Sequence, residues 1–136
     1  MYANGEASEL RLALCSVGEL YGGVERQLLD LCEYGRRRTG RFPLLVLFHD
    51  RELARRARQL GLEPVILHGR HRYDPGIVTA LRKVLLRENV HVVHAHGYKA
   101  TIACALARRG ATWGLVKTEH GRLEPSRGRP LPWLKA

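Results

Sequence analysis

Residues 11–32 read RLALCSVGELYGGVERQLLDLC, and this stretch decides the fold. It opens with a run of aliphatic residues at positions 11–17 and passes through a glycine-rich turn that contains Gly22 and Gly23. Apolar residues then recur at helical spacing over residues 24–32. A short buried strand that turns into an amphipathic helix is the opening unit of an α/β fold.

The same unit recurs along the chain, whose 136 residues suit a single domain. Five aliphatic runs alternate with helical patterns, which is typical of a parallel sheet with crossover helices. Right-handed crossovers favour the sheet order 3-2-1-4-5, with helices on both faces. We therefore predict one Rossmann-like α/β domain. Its strands are predicted at residues 11–17, 43–48, 64–67, 90–95 and 113–118.

The predicted helices have recognisable ends. The first is expected to end at Gly35, because glycine is a common helix stop. The second is expected to start with Asp50 as its cap and to close at Gly61, and the third to start with Asp74 as its cap. The fourth, at about residues 99–108, is apolar nearly all round, so we expect it to be covered on more than one side.

The composition limits the class of protein. Lys and Arg total 23 against 13 Asp and Glu, and the net charge of +10 favours an anionic partner: phosphate groups, nucleic acid or an acidic lipid surface. No stretch approaches the roughly 20 apolar residues that span a bilayer, and no secretory signal opens the chain. We expect a cytoplasmic protein that can associate with the inner face of the membrane. Cys15, Cys32 and Cys104 each lie in an apolar run, which predicts reduced core thiols.

A ligand site is expected where strands 1 and 4 of the predicted sheet lie side by side. The chain leaves these strands in opposite directions, and open α/β sheets bind ligands in the crevice beyond such strand ends. The topology brings together residues 18–23, 96–99 and 119–122. At Gly22 and Gly23 the backbone could approach a phosphate at a helix N-terminus, and the alternative is a tight turn without a ligand.

Three histidines also fall at this edge. His96 lies at the mouth of the crevice, which favours a functional role, whereas a structural role is favoured for His94. His120 follows strand 5 on the same rim, and the alternative for it is a loop histidine that bonds the backbone. A metal-dependent hydrolase would use these histidines together with Glu119, but we predict no metal site.

Three short motifs, taken in order, resemble glycosyltransferase family 4, which has the GT-B fold. They are GGVER at residues 22–26, HAHG at 94–97 and TEHG at 118–121. The resemblance implies retaining transfer of a sugar from a nucleotide diphosphate sugar, a co-substrate, with no metal or other cofactor. It places Gly22 and Gly23 near the donor diphosphate. It implies a catalytic role for His96, which would reach the transferred sugar or help to orient the acceptor.

The resemblance also implies an acceptor side and a second domain. Tyr98, Lys99, His120 and Gly121 would line the acceptor side, and the acceptor would be a glycan, a lipid-linked or an envelope molecule. The donor-binding C-terminal domain of the family is not found within residues 1–136, where residues 122–136 read as a basic, proline-broken loop and the start of a further segment. We expect that domain to be truncated here or supplied by another chain, and the isolated domain to be inactive.

Two other classes of protein are alternatives. A non-enzymatic binder of anions or nucleic acid would use the net charge of +10, but no recognition-helix motif is visible and aromatic residues do not interleave with the arginines. A flavodoxin-like or receiver-type signalling domain would share the five-strand architecture. It would need paired acidic residues after strand 1, which the sequence lacks.

Overall fold

Five parallel strands alternate with four helices in the computed structural model, which describes residues 10–69 and 74–118. The sheet order is β3-β2-β1-β4-β5, which confirms the predicted Rossmann-like topology. The strands are β1 (Leu12–Ser16), β2 (Leu44–Leu47), β3 (Val65–Ile66), β4 (Val92–His96) and β5 (Gly114–Thr118). The helices are α1 (Gly23–Thr39), α2 (Glu52–Gln59), α3 (Gly76–Arg87) and α4 (Tyr98–Ala107).

The two faces of the sheet carry separate hydrophobic cores. Leu14 and Leu45 point to the face that packs against α1 and α2, whereas Ala13 and Val46 point to the face covered by α3 and α4. This division follows from the strand geometry, because successive side chains point to opposite faces. Helices therefore cover both faces, as predicted.

The cysteines belong to these cores. Cys15, Cys32 and Cys104 are buried free thiols, as the sequence predicts. The side chain of Cys104, together with burial, raises the pKa of the Cys15 thiol. Burial alone raises the pKa of Cys32 to about 12. The thiols of Cys15 and Cys32 therefore stay protonated, and all three cysteines act as packing groups.

Helix α1 runs past Gly35, so the predicted end at that residue is wrong. The helix stops at Gly40, which has a φ of 79° and donates its N–H to the Arg36 carbonyl at 2.7 Å. Gly35 lies inside the helix beside the start of β2, where an added Cβ would stand 3.1 Å from Pro43 Cδ. The glycine is thus needed for close packing and not for a turn.

The starts of α2 and α3 differ in how well they match the prediction. Asp50 does not cap α2, because its carboxylate binds the Arg58 guanidinium at 2.7 Å and 3.1 Å. The predicted cap is therefore wrong, although Gly61 closes the helix region with a φ of 93°. Asp74 does serve the start of α3, since its Oδ1 accepts a hydrogen bond from the Gly76 N–H at 2.8 Å.

Helix α4 packs Ala100, Ala103, Cys104 and Ala107 against the sheet and α3. Its opposite side is open within the part of the chain that the structure describes. Tyr98, Ile102 and Leu106, spaced by one helical turn, are 70%, 43% and 60% exposed. The expectation that α4 is covered on more than one side is therefore wrong for the described residues.

Candidate functional site

The carboxyl ends of the parallel strands define one edge of the domain. At this edge Ser16 of β1 is aligned with His96 of β4. After β1 the chain turns to α1 on one face of the sheet, and after β4 it turns to α4 on the other face. The chain thus leaves β1 and β4 toward opposite faces of the sheet. Open α/β sheets bind ligands between two such strands.

A cleft of about 630 Å³ opens at this edge. The ends of β1, β2 and β3 and the starts of α3 and α4 form it, and its volume falls in the range of small-molecule sites. Its described lining residues are Val17, Glu19, Phe48, His49, Asp50, Arg51, His68, Gly69, Ile77 and Lys99.

The lining mixes hydrogen-bond donors and acceptors. The hydrogen bond from Arg58 holds the pKa of Asp50 below its usual value, so this carboxylate is ionised and already engaged. Glu19 is exposed and forms no ion pair with the described residues. Lys99 and Arg51 add positive charge. Such a cleft is suited to a ligand rich in hydroxyl groups, which both donate and accept hydrogen bonds.

The predicted acceptor residues separate in the structure. Lys99, in the first turn of α4, lines the cleft. Tyr98 is not among the described lining residues and lies on the open side of α4. His120 and Gly121 lie outside the described residues, as does Glu119.

His96 ends β4 and is only 5% exposed. Its ring centroid lies 4.1 Å from that of His94, and His94 Nε2 lies 2.6 Å from Thr118 Oγ1. His94 is aligned with Leu14, a residue of the α1 and α2 face, so both histidines are on that face of β4. His96 therefore lies at the carboxyl end of β4 beside Ser16 of β1, outside the set of described residues that line the cleft.

The two histidines are not joined by a third metal ligand in residues 10–69 and 74–118. No group of three or more His, Cys, Asp or Glu side chains in those ranges could hold a metal ion. The additional ligands that a metal site would need, Glu119 and His120, lie outside the described residues.

Gly22 and Gly23 sit at the start of α1. The Gly22 N–H donates to Glu25 Oε2 at 2.9 Å, which places a carboxylate at the positive end of the helix dipole. A Cβ on Gly23 would meet nothing within 4 Å, and one on Gly22 would meet only Glu25 Oε2, at 3.6 Å. The turn itself uses Gly18, whose φ is 70°. Neither residue of the pair is therefore required to be glycine by the described packing.

Most of the cleft lining is not predicted by the sequence. Glu19 lies within the predicted range 18–23, whereas His49, Arg51 and His68 lie outside every range that was expected at this edge. A signal was present, because each of these residues follows a predicted strand by a few positions. Residues just beyond the carboxyl ends of parallel strands all meet at one edge.

Among the helices that the structure describes, none combines the length and the apolar character needed to cross a bilayer.

Comparison with solved structures supports the fold. The chain is similar to Anabaena Alr3699/HepE, solved in complex with UDP, with 20% identity and a TM-score of 0.72 over 87% of this chain and 31% of that one. It is similar to a glycosyltransferase from Rickettsia africae with 18% identity and a TM-score of 0.68, over 84% of this chain and 31% of that one. It is also similar to the lipopolysaccharide outer core galactosyltransferase WaaB, with 11% identity and a TM-score of 0.68, over 82% of this chain and 33% of that one.

The chain thus spans about a third of the length of these solved proteins. A search of curated proteins found no match. A family model supplies the stronger evidence, because the model of Glycosyltransferase Family 4 matches residues 21–136, which is more than half of the chain. The chain belongs to glycosyltransferase family 4.

Proposed function

We propose that this chain is the acceptor-side half of a glycosyltransferase that moves a sugar from a nucleotide diphosphate sugar to a hydroxyl group of a glycan, lipid-linked or envelope acceptor. The observation that carries the proposal is the cleft at the carboxyl edge of the sheet in a member of family 4. The crystals of HepE with UDP, and with UDP and glucose, support a nucleotide sugar as the donor.

The proposed transfer retains the configuration of the sugar. A bond forms between the acceptor hydroxyl oxygen and C1 of the sugar, the bond from C1 to the diphosphate breaks, and the hydroxyl proton leaves with the diphosphate. Retention requires the acceptor and the diphosphate to lie on the same side of the sugar. The cleft and the start of α1 share one edge of the sheet, which suits this arrangement.

Different residues hold the donor and the acceptor in this proposal. Gly22 and Gly23 present the N-terminus of α1 to the donor diphosphate, where the helix dipole favours negative charge. His96 contacts the transferred sugar from the end of β4. The acceptor is held by the described lining residues of the cleft, with Lys99 among them, and by Tyr98, His120 and Gly121 at its rim.

The proposal includes no metal and no organic cofactor. The charge of the leaving diphosphate is neutralised by α1 and by a second, donor-binding domain, and residues 1–136 alone are expected to be inactive. Rate acceleration comes from positioning and from fixed positive charge near the diphosphate. We expect the acceptor to reach this site at the cytoplasmic side of the membrane.

The test uses an enzyme that contains residues 1–136 together with the donor-binding domain, and follows sugar transfer from a panel of nucleotide sugars by mass spectrometry. His96→Ala is expected to lower kcat about a hundredfold or more. Because His96 is buried, circular dichroism verifies that the variant is folded before its activity is compared. His91→Ala is the matched control, because it removes an exposed histidine away from the cleft together with the hydrogen bond that its Nδ1 accepts from the Arg11 N–H at 2.9 Å. Undiminished transfer by His96→Ala, or turnover by residues 1–136 alone, would contradict the proposal.

A further inference from the structure

The charges of the described cleft lining are unbalanced. Lys99 and Arg51 line the cleft, and neither forms an ion pair across residues 10–69 and 74–118. Of the two carboxylates in this lining, Asp50 is bound by the Arg58 guanidinium at 2.7 Å and 3.1 Å, whereas Glu19 has no ion pair with the described residues. Two unpaired cations therefore stand against one unpaired carboxylate, and the described lining has an excess of positive charge.

One of these cations occupies an unfavourable position in its own helix. Lys99 is the second residue of α4, and the first turn of this helix contains no acidic residue. The N-terminus of a helix carries about half a positive charge, so a lysine in the first turn costs stability. This cost is not offset by an ion pair with the residues that the structure describes. The side chain thus contributes less to the fold than to the positive charge of the cleft.

Apolar groups form another part of the cleft. Val17, Phe48 and Ile77 belong to its lining, and the Phe48 N–H donates to the Val17 carbonyl at 3.1 Å, which joins the ends of β1 and β2. A bare anion gains nothing from apolar groups, whereas the C–H groups of a sugar ring are removed from water when they pack against them. The cleft, at about 630 Å³, has room for a sugar unit with a charged substituent.

We propose that the accepting sugar carries an anionic group, either a phosphate or a carboxylate, and that Lys99 binds this group. The inference rests on the proposed function, in which this cleft holds the acceptor, and it names the chemical class of that acceptor. Arg51 adds positive charge to the same cavity. Glu19 and His49 form hydrogen bonds with the hydroxyl groups of the sugar, because hydroxyl groups both donate and accept.

The inference predicts that one substitution has opposite effects on stability and on binding. Lys99→Ala removes a cation from the positive end of α4 and introduces the best helix former, so the fold should gain stability. The same change removes the charged donor for the anionic group, so affinity for a charged sugar should fall. Binding residues are often placed where they cost stability, and a lysine with a structural role would show the reverse effect on the fold.

The test is an NMR titration of residues 1–136 in near-physiological salt with four separate probes: glucose 6-phosphate, glucuronic acid, glucose and inorganic phosphate. Dissociation constants come from the amide shifts of the cleft residues. Lys99→Ala is compared with Lys99→Arg, which keeps the charge. Lys83→Ala is the matched control, because Lys83 is an exposed lysine in the middle of α3. Urea denaturation measures the stability of each variant.

We expect at least one of the two charged sugars to bind about tenfold more tightly than glucose, and the tighter of the two identifies the anionic group. Lys99→Ala should weaken that binding about tenfold and raise the urea midpoint by more than Lys83→Ala does. Lys99→Arg should keep the affinity within about threefold, and Lys83→Ala should leave it unchanged.

Glucose that binds as tightly as both charged sugars would overturn the inference but leave the cleft as an acceptor site. Binding of none of the three sugars would overturn the inference together with the acceptor role of the cleft. Inorganic phosphate that binds as tightly as glucose 6-phosphate would also overturn it, because no sugar would then be recognised. A Lys99→Ala variant with a lowered urea midpoint and unchanged affinity would assign Lys99 to the fold and contradict the proposal.

Discussion

His94 Nε2 lies 2.6 Å from Thr118 Oγ1, across the pair formed by β4 and β5. The contact joins the edge strand to the interior of the sheet. It also holds the His94 ring, whose centroid lies 4.1 Å from that of His96 with the two ring planes tilted by 37°. His94 is thus a structural support for His96. The functional and structural roles proposed for these two histidines follow from their neighbours and not from their residue type.

Replacing Thr118 tests this support. Thr118→Val removes the hydroxyl group and is expected to lower the free energy of unfolding by about 1 kcal/mol, measured by urea denaturation. Thr112→Val, at an exposed position before β5, is the control and should change little. An unchanged stability of Thr118→Val would show that the contact contributes nothing to the fold.

Gly23→Ala tests whether glycine is required at this position for stability or for donor binding. A Cβ at this position meets nothing within 4 Å, and alanine favours helices, so the free energy of unfolding should stay equal or rise by up to about 1 kcal/mol. Nucleoside diphosphate affinity of the enzyme with its donor-binding domain should nevertheless fall, because the methyl group blocks close approach to the backbone. Calorimetric titration measures that affinity. Unchanged affinity would leave Gly23 without a role in donor binding.

Glu25 competes with the proposed diphosphate for the start of α1. Its carboxylate accepts the Gly22 N–H at 2.9 Å, so a phosphate must displace it or lie beside its negative charge. Glu25→Gln should therefore raise nucleoside diphosphate affinity several-fold in the same calorimetric experiment. Glu33→Gln, in the same helix but farther from its start, controls for net charge. Equal affinities for the two variants would argue against a phosphate at this helix end.

Glu52 contributes an acid-sensitive part of the stability. Hydrogen bonds from Arg55 and Arg56, at 2.9 Å and 2.8 Å, lower the pKa of Glu52 from 4.5 to about 2. Because the folded pKa is depressed, this stabilisation is complete above pH 4.5 and is lost as the pH falls through about 2. The urea midpoints of Glu52→Gln and of the unmodified chain should differ slightly at neutral pH and converge in acid. A difference that grows in acid would contradict this sign.

The sheet was predictable because its signal is repeated. Each aliphatic run is followed by a helical pattern, and crossover handedness then leaves few sheet orders. The end of α1 and the start of α2 were not predictable in this way. Gly35 has the local preference of a helix stop, but packing against Pro43 explains it, and Asp50 is engaged by Arg58. These contacts join parts of the chain that a local pattern does not relate.

The sequence predicted the edge of the sheet at which the candidate site lies, but it did not predict most of the residues that line the site. The order of strands placed Lys99 at the crevice, and Lys99 does line the cleft. Glu19, His49 and His68 come from three different strand ends, and only the folded arrangement shows that they share a cavity. Such convergence depends on loop conformation, for which the sequence offers no periodic pattern.

The most direct measurement is an NMR titration of residues 1–136 with oligosaccharides and, separately, with UDP. The account predicts that an oligosaccharide shifts the amide signals of Glu19, His49, His68 and Lys99, while UDP alone leaves the cleft unperturbed and acts only near the start of α1. Signals of Glu33, on the outer side of α1, serve as the internal control. If UDP shifts the cleft signals and no oligosaccharide does, the cleft is not an acceptor site and the central claim is contradicted.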